Sequence, residues 1–145
     1  MHKKIRNYVV YLAWIQSVIA TAGSLFLSEI MNFPPCKLCW YQRIAMYPLT
    51  ILIAVGIIRK ERKLYWYVLP FSVIGLGIAF YHNLLNYHLL PDSVSSCTAG
   101  VSCATDYFNL LGFITIPFLS FVAFLVISIC MIIFWQDNRK NVSIN

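Results

Sequence analysis

The 145-residue chain is long enough for one domain. It is 60% hydrophobic and only 11% charged, with a mean hydropathy of +0.72, whereas soluble domains carry about 25% charged residues. That excludes a self-sufficient soluble fold, and the net charge of +6 is read as a membrane-orientation signal rather than a nucleic-acid surface.

The basic stretch "MHKKIR" precedes an uncharged run, Tyr8–Leu27, that predicts a first membrane helix over about 8–28. Its Ala20-Thr21-Ala22 resembles the cleavage site of a secretory signal. The run continues to Leu27, however, beyond the core of about 7–15 residues that a signal has, so a retained helix is expected. Ile44–Ile58 is free of charge but too short to cross a bilayer alone. Extending it back to Pro34–Pro35, with proline favoured at a first helical position, gives a second span over 36–58. A third span is predicted over 64–85, with Gly75, Gly77 and Ala79 as small packing residues, and a fourth over about 110–135. The expectation is an all-α membrane protein, a four-transmembrane-helix bundle forming one integral membrane domain over 1–145. Pro48, Pro70 and Pro117 lie inside or near the ends of spans, where membrane helices tolerate them.

Four spans put both termini on one side. Lys3, Lys4 and Arg6, then Arg59, Lys60, Arg62 and Lys63, then Arg139 and Lys140 make nine of the 11 basic residues. All nine fall on that side, which predicts cytoplasmic termini and two extracytoplasmic loops. Aromatic pairs at both edges agree: Trp40–Tyr41 and Tyr107–Phe108 outside, Tyr65–Tyr67 and Phe134–Trp135 inside.

This topology sorts the five cysteines. Cys36 and Cys39 fall in the first outer loop, Cys97 and Cys103 in the second, on the side where disulfides persist. Cys130 lies deep in the fourth span and reads as a small hydrophobe. In the predicted second helix Cys36 and Cys39 are i and i+3 and Arg43 is i+7, so all three share a face. The cysteines then occupy the first turn, whose free N–H groups and positive dipole end favour a thiolate. A charge at that depth is an interfacial anchor or marks function; in the functional reading Arg43 polarises or anchors an anionic or carbonyl-bearing acceptor beside Cys39. The second pair sits in a Ser-rich, aperiodic stretch that reads as a loop, long enough for Cys97 to reach an outside protein or to swing back to Cys36. His82, with Asn83 and Asn86 at the outer end of the third span, is either a polar cap or a hydrogen-bonding partner for an acceptor in the bundle; His88 reads as a loop residue. From the residues alone, two inert structural disulfides and two redox couples both stay open. A four-thiolate zinc site is disfavoured because the pairs lie in separate loops. No histidine follows the CxxC, which excludes c-type haem attachment, and no Gly-rich nucleotide fingerprint is present.

The segments "SEIMNFPPCKLCWYQRIAMYPL" (28–49), "CTAGVSC" (97–103) and "GFITIPFLSF" (112–121) resemble the DsbB family of disulfide bond formation proteins, in particular its Gram-positive BdbC-type members. The resemblance implies a membrane thiol:disulfide oxidoreductase. Such an enzyme reoxidises an extracytoplasmic, DsbA- or BdbD-like thioredoxin-fold oxidase and passes the electrons to a membrane quinone, menaquinone being the expected one. It implies redox-active disulfides Cys36–Cys39, facing the quinone, and Cys97–Cys103, exchanging with the partner. It associates Arg43, and more loosely His82, with quinone binding. Gln42 stands where better-known members carry an acidic residue, and the second cysteine pair is more closely spaced than theirs, which bears on the order of disulfide rearrangement. Two rivals remain. A non-catalytic membrane scaffold with two structural disulfides is one. An enzyme carrying electrons outward is the other; it needs cysteines reachable from the cytoplasm, and only unpaired Cys130 is near that side.

Overall fold

The computed structural model describes residues 2–32, 35–87, 89 and 115–142, with the backbone alone at 2–5 and 140–142. Cys97, Cys103, His88, Pro34 and Tyr107–Phe108 lie outside the described residues. Four helices account for nearly all of it: α1 (His2–Leu25), continued by a π-helical turn (Phe26–Ile30), α2 (Lys37–Arg59), α3 (Leu64–Asn86) and α4 (Ile116–Val142). No strand occurs among the described residues. All four helices are long and apolar enough to cross a membrane.

The helices pack as a ring: α1 against α2 and α4, and α3 against α2 and α4. At the centre Leu49, Ile53, Val68, Phe124, Ile127 and Met131 have no exposure. The outer surface is equally apolar, with Ile15, Ile19, Ile44, Ile58, Trp66, Ile74 and Leu119 all more than half exposed. A soluble monomer could not present such a surface; in a bilayer it is the lipid-facing side. Lipid provides no hydrophobic force between helices, so small residues and polar contacts fix their approach. Gly75 shows the first device. A Cβ there would fall onto the ring of Phe124, so the absence of a side chain is what lets α4 seat that ring against α3. Gly77 has open space instead and takes no part in the packing, while Gly75 and Ala79, four residues apart, share the buried face.

Polar contacts supply the second device. Thr21 and Thr50 hydroxyls meet at 3.0 Å between α1 and α2, and Ser128 Oγ donates to Ser72 Oγ at 3.1 Å between α4 and α3. Asn83 Nδ2 donates to Ala79 O at 2.8 Å and to Pro117 O at 2.9 Å, tying the end of α3 to the start of α4. Thr115 caps α4 by accepting from Phe118 N at 3.4 Å. The α2–α3 connection is short because α2 closes with a Schellman motif. Lys60 takes the left-handed conformation (φ 52°), its N–H donates to Ile57 O, and Glu61 N donates to Gly56 O at 3.0 Å. The antiparallel neighbours α2 and α3 thus bring the start of α2 beside the end of α3.

Gly75→Ala should lower stability by about 1–3 kcal/mol, the usual cost of overpacking a filled core. Gly77→Ala should be neutral or slightly stabilising, since alanine is the better helix former. Thermal unfolding of both variants in detergent checks the contrast.

Candidate functional site

The start of α2 differs by one residue from the sequence expectation. Pro35 lies before the helix, and Cys36 is not in the first turn but is its N-cap, with extended backbone (φ −69°, ψ 168°). The reason is local: the Cys36 sulfur accepts the Cys39 N–H at 3.3 Å, doing for one orphan amide what a serine or aspartate oxygen usually does. This cap also folds the sulfur of Cys36 back over that of Cys39, and the two Sγ atoms stand 2.7 Å apart as free thiols. A disulfide between them requires a movement of less than an ångström.

The couple is seated between α2 and α3. Cys36, Leu38 and Leu85 form a small buried apolar cluster, with Cys39, Ile78 and Tyr81 packed on it. Into this cluster α3 inserts His82, only 2% exposed, its Nε2 lying 3.7 Å from Cys36 Sγ. On the other side of the ring the buried Gln42 side chain places its Nε2 3.0 Å from His82 Nδ1. An amide N–H there donates to Nδ1, which leaves the ring proton on Nε2, facing the Cys36 sulfur. Cys36, Cys39 and His82 offer two sulfurs and a nitrogen within 4.8 Å of one another. That spacing suits a dithiol–disulfide couple with an attendant imidazole; three such donors could also share one soft cation.

Arg43 has partners that its helix register does not reveal. It lies one helical turn beyond Cys39, but its guanidinium reaches across to α1, where Nε donates to Ser24 Oγ and Nη2 to Ser24 O, both at 2.8 Å. It also stacks on Trp40, 5.8 Å from the ring centroid. Ser24 sits just before the π-helical turn, and its carbonyl also accepts from Ser28 Oγ at 3.3 Å. Arg43 is therefore fixed at the edge of the site by α1, while His82 occupies the position against the sulfurs. Cys130, 4% exposed, is packed in the main core with Ile127, Met131 and Phe134, away from the dithiol.

Two residues of the site escape sequence reasoning. Gln42 was readable only as a departure from a family pattern, and Ser24 as one polar residue in an apolar run. The signal that could have found Gln42 is its register: it lies six residues after Cys36 and three after Cys39, on the α2 face turned to α3, where an uncompensated amide would be costly. Gln42→Leu should cost about 1–3 kcal/mol, because it removes the buried hydrogen bond between the Gln42 amide and His82 Nδ1. Removing both partners, Gln42→Leu with His82→Leu, should cost less than the sum of the single changes; thermal unfolding of the three variants measures the coupling.

Comparison with known proteins places the sequence in a family. The sequence model for "Disulfide bond formation protein DsbB" covers residues 6–134. The chain is 46% identical over 136 residues to a probable disulfide formation protein C 2 of Bacillus cereus, covering 94% of this chain and 96% of that protein. It is 42% identical over 128 residues to the disulfide bond formation protein C of Bacillus subtilis, covering 88% and 93%, and 43% identical over 140 residues to a probable disulfide formation protein of Oceanobacillus iheyensis, covering 95% and 96%. No solved structure matches the chain. With four membrane-crossing helices and a family match over nearly its whole length, the chain is a multi-pass membrane protein that belongs to the DsbB family of disulfide bond formation proteins.

Proposed function

We propose that this family member is a quinone-linked thiol:disulfide oxidoreductase, with its termini in the cytoplasm and its four outer cysteines on the extracytoplasmic face. It would reoxidise a thioredoxin-fold oxidase of the DsbA or BdbD kind and so support disulfide formation in exported proteins. The observation that carries the reading is the Cys36–Cys39 couple at the mouth of a lipid-crossing helix, its sulfurs 2.7 Å apart and an imidazole on one of them.

The chain's own chemistry is thiol–disulfide exchange, in which each step breaks one S–S bond and forms one. A thiolate of the reduced partner attacks the Cys97–Cys103 disulfide, at Cys97 by family resemblance, and a mixed disulfide forms. The partner's second thiol resolves it, leaving oxidised partner and reduced Cys97 and Cys103. The loop dithiol then reduces Cys36–Cys39 by the same exchange. His82 Nε2–H, held toward the Cys36 sulfur by Gln42, donates a hydrogen bond to that sulfur as negative charge collects on it. Cys39, half-buried one turn from Arg43, is the sulfur from which electrons leave.

The donor set fits a quinone. Arg43 commits two of its five N–H groups to Ser24, which fixes the guanidinium at the lipid boundary and leaves donors for a carbonyl oxygen. In this reading Arg43 anchors the quinone, expected to be menaquinone, and His82 borders it from the Cys36 side. When bound, the quinone supplies the two-electron sink that a strongly oxidising partner requires.

Mixing reduced partner, purified protein and quinone should change the quinone spectrum in proportion to partner oxidised. If all four outer cysteines stay oxidised while reduced partner is present, the protein is a scaffold and not a relay. Arg43→Ala should slow quinone reduction by about tenfold or more while sparing exchange with the partner, a loss of one good charge-assisted hydrogen bond or two; equal loss of both steps refutes its role. Cys130→Ala should leave turnover unchanged, as measured in the same assay.

A further inference from the structure

At the end of the bundle remote from the dithiol, a cavity of about 380 Å³ opens between the first turns of α1, the end of α2, the 60–63 turn and α4. Its floor is hydrocarbon: Val10, Leu64 and Phe134 line it and are at most 7% exposed. Its rim is cationic, with Arg6, Lys60 and Arg62. Glu61 also lines the cavity, but one carboxylate oxygen accepts from Lys63 N at 3.3 Å. Among the described residues Arg6, Lys60 and Arg62 form no ion pair. The rim is held in place by backbone: Lys60 is fixed by the left-handed cap of α2, and Arg62 O accepts from Asn138 Nδ2 of α4 at 3.1 Å.

The helix α2 separates this cavity from the dithiol by its whole length of 23 residues, about 34 Å at 1.5 Å per residue. The cavity therefore lies at the opposite face of the bilayer, at the depth where acyl chains give way to headgroups. A hydrated free anion gains nothing from a floor of Val10, Leu64 and Phe134, whereas an amphiphile matches both parts of the wall. Basic pockets between membrane helices at such a boundary suit anionic lipid heads. We propose that this pocket binds the phosphate headgroup of an anionic phospholipid, with Arg6, Lys60 and Arg62 around the phosphate and the first part of an acyl chain against Val10 and Phe134. The site is independent of the redox reading, and its test uses no redox measurement.

The full chain is reconstituted in phosphatidylcholine nanodiscs containing a minority of phosphatidylglycerol, released, and weighed by native mass spectrometry. The parent should retain phosphatidylglycerol in preference to phosphatidylcholine. The combined variant R6Q/K60Q/R62Q should lose that preference by roughly a hundredfold, at about fivefold for each basic side chain. A control with the same change of charge outside the pocket, R59Q/K63Q/R139Q, should keep it, and millimolar inorganic phosphate should not displace the lipid. Absence of a preference in the parent, equal loss in the control, or displacement by free phosphate each overturns the proposal. If the combined variant fails to fold, R6Q and R62Q singly should each reduce the preference about fivefold, and no reduction in either overturns it.

Discussion

A membrane helix satisfies its own backbone, and lipid gives its apolar side chains no reason to prefer protein over solvent. Everything specific in this bundle therefore depends on a few polar side chains turned inward and on a few small residues that let helices approach. Ser17, Gln42, Ser72, His82, Asn83 and Ser128 are all buried in a largely apolar interior. Most of them bond across a helix boundary. An unmet polar atom in this setting costs more than in a water-bathed core, so these contacts fix rotation and depth together.

The dithiol site is built on that constraint. The start of α2 and the end of α3 meet because the helices are antiparallel neighbours, and the Gln42–His82 bond joins them at one level. With that level set, His82 stands against the sulfur of Cys36. On the other side of α2, Ser24 of α1 holds Arg43. Two helices thus position two cationic or proton-bearing groups around one short helix mouth, and neither group lies on the loop that carries the second cysteine pair. The Cys36–Cys39 pair is thus held by the packed helices α2 and α3.

The two ends of the bundle carry unlike chemistry. One end gathers sulfur, imidazole and a guanidinium fixed by a serine. The other gathers cations over an apolar floor. Both arise where helices terminate, because there the chain can leave regular structure without exposing backbone to hydrocarbon. The N-cap taken by a cysteine and the left-handed cap taken by Lys60 are the two ends of the same helix.

The sequence by itself determined the class of fold and the family. Charge-free runs of membrane length and the CxxCWYQR segment depend on composition and order, and both are legible without coordinates. It also determined that Cys36 and Cys39 are three apart at a helix start, though not that Cys36 would cap the helix instead of entering it, since that choice rests on one ψ angle. Only the tertiary structure decided which partners these residues meet. A helical period says which face a residue occupies but not which helix lies opposite or at what depth, and Arg43 and His82 show the consequence. Reading α2 alone puts the arginine one turn from Cys39 without naming its partners. Packing α1 and α3 around it turns the guanidinium to Ser24 and brings an imidazole from 46 residues away to Cys36, because burying a polar group in lipid is tolerable only where another helix supplies its partner.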